Sequence, residues 1–341
     1  MDYDKIACAM IKKAVERGVD DILENTERGI RNLVDLGVLF SIGRFQKDFV
    51  LSAQRELSNL KSPYYQLIKR VVHGVDKDQL VTFGMNLGYC SWSAGAKKLF
   101  SVEKEGGFNI PWVLFFKLTL HGQHLLPDKV KDIIEQGKAL GIYSYTFSVY
   151  EEYPYLTELI DVLGEEPDCA FCLFLNANLI TQKLIDRLAE IKTVFTLIRL
   201  EEESNVAKAA AMLLNNKMLC GAYSNYADLA LDAMPSLRWA EELGFSFMVF
   251  VRDSAYHLAE LESENSSIRY QREHLEIPVF PIDFYKDVAH IDRNLCDDAC
   301  LVSIYGDGSM KFVKMETPEI IDKHSIYDDS LKNIFADVLK K

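Results

Sequence analysis

No stretch of the 341-residue sequence approaches the roughly 20 consecutive apolar residues that a membrane-spanning helix requires, and no membrane partner is expected. The opening residues, Met1-Asp2-Tyr3-Asp4, carry neither the basic nor the apolar region of a secretory signal, so a cytoplasmic location is expected. Positive charge is scarce: 38 Lys and Arg face 51 Asp and Glu, a formal net charge of −13. Nucleic acid, whose backbone rewards Lys and Arg, is therefore excluded as the main partner. Cysteine is sparse and irregular. The seven thiols, at Cys8, Cys90, Cys169, Cys172, Cys220, Cys296 and Cys300, are an odd count in mostly apolar surroundings, which suits reduced thiols rather than a disulfide framework. What is present is an ordinary globular composition, 49% hydrophobic and 26% charged, which excludes disorder and fibrous architectures.

The first part of the chain reads as helices. Ile6, Met10 and Ala14, and likewise Ile11, Val15 and Ile22, recur at helical spacing, while Lys12, Lys13, Glu16 and Arg17 fill the other face. From Gly106 the texture changes to short apolar runs alternating with amphipathic segments. The runs are 112–116, 142–149, 170–175, 194–200, 218–223 and 245–251, and five helical patterns separate them. Such alternation with short connections predicts parallel βαβ units. Periodicity alone fits either a barrel or an open doubly wound sheet. The lack of a GxGxxG turn after the first run tips the reading away from a dinucleotide fold. Beyond Val251 the pattern gives a helix near 266–276, a strand at 279–284, and a hairpin whose arms flank Gly306-Asp307-Gly308. A tail from Pro318 reads as helical and peripheral. The expected organisation is a helical extension (1–105), a six-stranded barrel (106–255) and a C-terminal extension (256–341).

Several stretches resemble one branch of the radical S-adenosylmethionine (SAM) superfamily. They are Phe108-Asn109-Ile110-Pro111-Trp112, the run 134–143 (IEQGKALGIY), Leu175-Asn176-Ala177-Asn178-Leu179-Ile180, the run 278–287 (PVFPIDFYKD), and the hairpin from Ile304 to Met310. The resemblance implies an α/β fold: a partial (β/α)6 TIM-like barrel with an N-terminal helical extension and a C-terminal β-hairpin. It also implies a [4Fe-4S] cluster and SAM as cofactors. The cluster needs three thiolates in a CxxxCxxC loop after the first strand. Here Phe115-Phe116-Lys117-Leu118-Thr119-Leu120-His121-Gly122-Gln123-His124 contains no cysteine. A glycine-rich turn that approaches SAM is replaced by Ser148-Val149-Tyr150-Glu151-Glu152. The hairpin lacks the branch's Pro-Cys end, reading Met310-Lys311-Phe312-Val313. The expectation is a catalytically silent homologue without cofactors, which binds or regulates a protein or peptide, an active relative being one such partner.

The alternative is an enzyme with an altered site. Cofactor-free acid–base chemistry would use Glu151, Glu201 and Asp283. A cluster on atypical cysteines would use Cys169, Cys172, Cys296 and Cys300, although the first two should point to opposite sides of a strand and pack as core thiols. Strand ends supply Asn176, Arg199, Asn225 and Arg252 as ligand-binding candidates that should converge on the barrel mouth. Glu202, Glu203, Tyr223 and Asp253 accompany them. Arg199 and Glu201 share a strand face and are expected to pair with each other. His121 and His124 read as loop histidines, and 89–96 as a connector.

Overall fold

In a computed structural model the residues described are 3–41, 44–118, 123–149, 153–201, 205–226, 231–252, 265–295, 300–314 and 319–341. The amphipathic start forms α1 (Tyr3–Glu24), α2 (Thr26–Phe40), α3 (Arg44–Leu57), α4 (Tyr64–Gly74), α5 (Lys77–Met85) and α6 (Ala96–Gly106). Of the two apolar stripes on α1, the one carrying Val19 and Ile22 turns inward and packs with Ile30, Tyr65, Val72 and Val81 into a small core. The other leaves Ile6 and Met10 exposed.

Residues 89–96, read as a connector, are instead the π-wound middle of one continuous helix: Asn86–Gly95 bridges α5 and α6 without a break. That long helix runs beneath the amino ends of the strands and satisfies their backbone. Gln79 donates to the Val194 carbonyl at 2.9 Å and accepts the Leu219 N–H at 2.7 Å. Asn86 donates to the carbonyls of Pro167 and Cys169, and the hydroxyls of Ser91 and Ser144 bond at 2.9 Å. Hydrogen bonds from i to i+5 stack residues five apart, so the π winding keeps Asn86 and Ser91 on the barrel side where an α-helix would turn one away. Gly141, in the left-handed region at φ 106°, lets this helix approach closely: a Cβ there would stand 2.8 Å from the Gly95 carbonyl.

The apolar runs form β1 (Val113–Lys117), β2 (Ser144–Val149), β3 (Ala170–Leu175), β4 (Val194–Arg199), β5 (Cys220–Tyr226) and β6 (Phe247–Arg252). Between them lie α7 (Pro127–Leu140), α8 (Leu156–Gly164), α9 (Gln182–Glu190), α10 (Asn205–Asn215) and α11 (Met234–Glu242). Then come α12 (Ser266–His274), β7 (Phe280–Asp283), α13 (Phe284–Leu295), β8 (Cys300–Tyr305), β9 (Ser309–Lys314), β10 (Glu319–Ser325) and α14 (Leu331–Val338). All ten strands join one sheet in the order β10-β9-β8-β1-β2-β3-β4-β5-β6-β7. From β8 through β7 every pairing is parallel, while β9 and β10 add antiparallel.

The parallel part is therefore longer than the six strands expected. β7 extends one side, and β8, which the local pattern shows only as half of a hairpin, pairs with β1 on the other. The tail is neither wholly helical nor peripheral: it begins as β10, and Leu331, Ile334 and Phe335 of α14 are buried. Both corrections have one cause, since long-range strand pairing leaves no local periodic trace.

The sheet is rolled. In a flat sheet, strands six places apart would be about 29 Å apart at 4.8 Å per strand. Yet the ring of Phe115 on β1 meets that of Phe284, the residue after β7, at a centroid distance of 5.7 Å. Among the described residues β7 and β8 share no ladder, and α13 packs against β6, β7 and β8 at that seam. The buried carboxylate of Asp292 on α13 accepts the backbone N–H of Trp112 at 3.3 Å and of Cys300 at 2.7 Å, tying the starts of β1 and β8. The Trp112 indole donates to the Val288 carbonyl of the same helix. Asp292→Ala would leave two buried donors unmatched at about 1–3 kcal/mol each. Urea unfolding should show a loss of about 2–6 kcal/mol, and a loss too small to resolve would mean that Asp292 does not hold the seam.

Candidate functional site at the carboxyl ends of the strands

Parallel pairing puts registered residues on one side of the sheet. Phe115 pairs with Thr146 and Ser303, Thr146 with Cys172, Arg199 with Tyr223, Tyr223 with Val249, and Val249 with Ile282. This is the inner face, because its aromatic rings meet across non-adjacent strands. Phe174 touches Phe284 at 5.1 Å and Tyr223 at 5.0 Å, joining the Phe115–Phe284 contact into one layer. Phe115, Phe174 and Tyr223 are buried. Side chains from alternate strands filling a layer are the usual packing of a barrel interior, so this interior is a solid floor.

Above that floor, toward the carboxyl ends, the same face carries Lys117, Arg199, Asn225 and Tyr305. The Lys117 ammonium lies 5.6 Å from the centre of the Tyr305 ring. Arg199 Nε binds Glu201 Oε1 at 2.7 Å, with each side chain about one-third exposed (33% and 34%). Asn176, two residues past Phe174, opens the turn after β3, where its carbonyl accepts the Leu179 N–H. Asn225 Oδ1 is buried and accepts no hydrogen bond. The layer is thus a cation, an internal ion pair and amides.

Arg252 and Asp283, expected beside these groups, lie on the opposite face. Asn225 pairs with Val251, so Tyr226 pairs with Arg252 and alternation sends that pair outward. Phe250 pairs with Asp283, which places the aspartate on the same outer side. The expected convergence fails because Arg252 is one residue out of phase with Asn225. The three outer groups form their own cluster: Tyr226 donates to Asp283 Oδ1 at 3.0 Å, and Arg252 lies over the Tyr226 ring with its guanidinium carbon 5.4 Å from the centroid. Asp283 N–H donates to Asp287 Oδ2, and Arg272 grips Asp287 with two bonds of 2.9 and 2.8 Å. Asp283 is buried and its Oδ2 has no partner. Burial pushes its carboxyl above the usual range, and the Tyr226 hydrogen bond pulls it back only in part. Tyr226 is raised too, by burial and then by the facing Asp283. Sequence reasoning missed Tyr226 because the apolar run seemed to end at Tyr223.

The thiols gather elsewhere. Cys220 and Cys300 open β5 and β8, Cys169 immediately precedes β3, and Cys172 lies within it, so Cys169, Cys220 and Cys300 stand at the amino ends. Cys169 shares a corner with Glu166 and Asp168, whose ligand atoms all lie within 4.8 Å. The Lys138 ammonium already occupies that corner, 2.7 Å from Glu166 and 2.8 Å from Asp168. β3 and β8 are separated by β1 and β2, about 14 Å at the usual strand spacing, so Cys300 does not join Cys169 and Cys172. Burial pushes Cys90, Cys172 and Cys220 up to about 12, the signature of inert thiols. His124 packs edge-on against Tyr153 at 5.7 Å. Glu151, His121, Glu202, Glu203, Asp253 and Cys296 lie outside the described residues.

The cluster implied by the family resemblance can be tested against this topology. The segments following the carboxyl ends of β1 to β6 and β8 are 118–126, 150–155, 176–181, 200–204, 227–233, 253–265 and 306–308, and none contains a cysteine. Three thiolates at the mouth are what the cluster requires, and the residues present do not fit it.

No family model matches the chain, and no curated protein does so either. Among solved structures, Streptococcus suis SuiB bound to the precursor peptide SuiA matches with a TM-score of 0.50 at 12% identity, covering 71% of this chain and 68% of that one. A second structure of Streptococcus suis SuiB gives the same score and identity over 71% and 69%. At this identity the likeness shows the fold alone, the one shared with SuiB.

Because the folded-state carboxyl of Asp283 is raised above its unfolded value of 3.8, the folded protein holds that proton more tightly. Asp283 therefore favours folding at low pH, and the advantage is lost as pH rises from near 4 through the raised value. Urea unfolding at stepped pH should show wild type losing stability relative to Asp283→Asn across that window. A constant difference between the two proteins would contradict the assignment.

Proposed function

We propose that this chain is a radical-SAM-like barrel that carries out no SAM chemistry and serves a binding or regulatory role toward a protein or peptide, an active relative included. The observation that carries the reading is the cysteine-free carboxyl end, where every loop that could hold an iron ligand lacks a thiol. The aromatic floor supports it, since Phe115, Phe174, Tyr223 and Phe284 fill the depth that a cofactor would need. A bound precursor peptide in the matching SuiB structure supports a peptide as the partner class. The cation, ion pair and amides above the floor supply hydrogen-bonding groups suited to peptide backbone and side-chain polar atoms. No described helix is long and apolar enough to cross a membrane.

A second reading is favoured by one observation. Asp283 combines a raised carboxyl, a phenol partner in Tyr226 and an unpartnered Oδ2, the attributes of a proton-transfer group. Under that reading the chain is a cofactor-free acid–base catalyst, and its chemistry lies on the outer side of β5 to β7 rather than in the barrel interior.

Anaerobic reconstitution with iron and sulfide tests the leading reading directly. After desalting, iron and acid-labile sulfide should be near zero per chain, with no charge-transfer absorption in the visible spectrum. About four irons per chain, the content of a [4Fe-4S] cluster, would overturn it.

A further inference from the structure

The N-terminal helices form an open-sided hollow of about 210 Å³ that plays no part in the barrel mouth. Ile11 and Val15 of α1, Phe49 and Val50 of α3, and Met85 and Trp92 of the long helix form its walls. Among the described residues no charged side chain lines it, and Ser41, Gln46, Tyr89 and Ser93 add polar groups to the apolar walls. Its mostly apolar walls favour an occupant that is itself mostly apolar, because burying such surface on both sides removes it from water.

Gly84 and Gly88 line this hollow, and their separation of four puts them on one helix face. Glycine weakens a helix interior relative to alanine, and elsewhere in this fold a reason for it is visible: a Cβ at Gly95 would stand 2.6 Å from two carbonyl oxygens. At Gly84 and Gly88 a Cβ would meet nothing within 4 Å, and neither has positive φ. Backbone conformation and crowding therefore account for neither glycine, and their common effect is to keep the hollow empty. The chain also holds π winding along this wall, a distortion often found at functional sites. Gln46 reaches over the rim to the Gly88 carbonyl at 2.9 Å.

The aromatic walls set the occupant's shape. Phe49 and Trp92 meet edge to face at 6.3 Å, and Trp92 meets Trp112 likewise at 6.1 Å. A third ring can continue that arrangement, with its flat face against the glycine backbone. Apolar cavities of about 150 Å³ hold benzene, so the larger hollow suits a fused bicyclic ring, and an α-helix about 10 Å across is too wide for it.

We propose that this hollow is a binding site for a small neutral aromatic molecule of about the size of indole, seated between Phe49, Trp92 and the Gly84–Gly88 face.

The full-length chain would be titrated with 5-fluoroindole and followed by fluorine NMR, beside Gly84→Leu, Gly88→Ala and the control Gly74→Ala. Gly74 likewise has open space at its Cβ position but lies outside the hollow. Wild type and Gly74→Ala should show saturable binding. Gly84→Leu should weaken it at least tenfold with Tm not lowered, and Gly88→Ala, the milder filling, should weaken it measurably. The second variant decides the matter if the first fails to fold. Absence of saturable binding to wild type, or equal binding to a folded filled variant, would overturn the proposal. Neither result bears on the iron content that tests the barrel's role.

Discussion

A sheet of ten strands can roll up only if its interior is filled and its open seam is bridged, and in this chain α13 does both. Its first residue, Phe284, enters the barrel and closes the aromatic layer with Phe115 and Phe174. About two turns later Asp292 binds the backbone at the starts of β1 and β8. The helix follows β7 without a loop, so its entry position is fixed by strand register. Floor, seam and strand ends are consequently one mechanical unit, and the polar groups at the mouth stand on that unit.

Alternation then sorts the chemistry. Arg199, Asn225 and Lys117 share the inner face, while Tyr226, Arg252 and Asp283 share the outer one, although both sets lie near the carboxyl ends of their strands. The inner set sits above packed rings and combines a cation, an ion pair and an amide. The outer set is buried and holds an acid against a phenol. The two belong to different functional readings, and a single residue of phase between Asn225 and Arg252 keeps them apart.

Much of this was legible in the sequence. Short apolar runs flanked by amphipathic segments marked β1 to β6 and the helices between them, because each strand is buried on both faces and needs no alternation. The lack of cysteine after β1 was readable directly, and the Arg199–Glu201 pair followed from spacing two on one strand. What escaped was long-range. The pairing of β8 with β1 joins residues nearly 190 apart and leaves no local signal. The tail strand β10 was hidden by polar neighbours, and its pairing supplies the order that its composition lacks. The segment 89–96 reads as a connector because glycine and serine are poor helix formers, yet contacts to the strand ends hold it in a π-wound helix. Asp292 sits in an ordinary amphipathic pattern, where nothing distinguishes a clamp from a surface carboxylate.

The proposed function requires that this fold, shared with SuiB, hold no SAM. Isothermal titration of the anaerobically reconstituted chain with SAM tests it most directly. No saturable heat is expected at millimolar SAM, while one molecule bound per chain with micromolar affinity would overturn the proposed function.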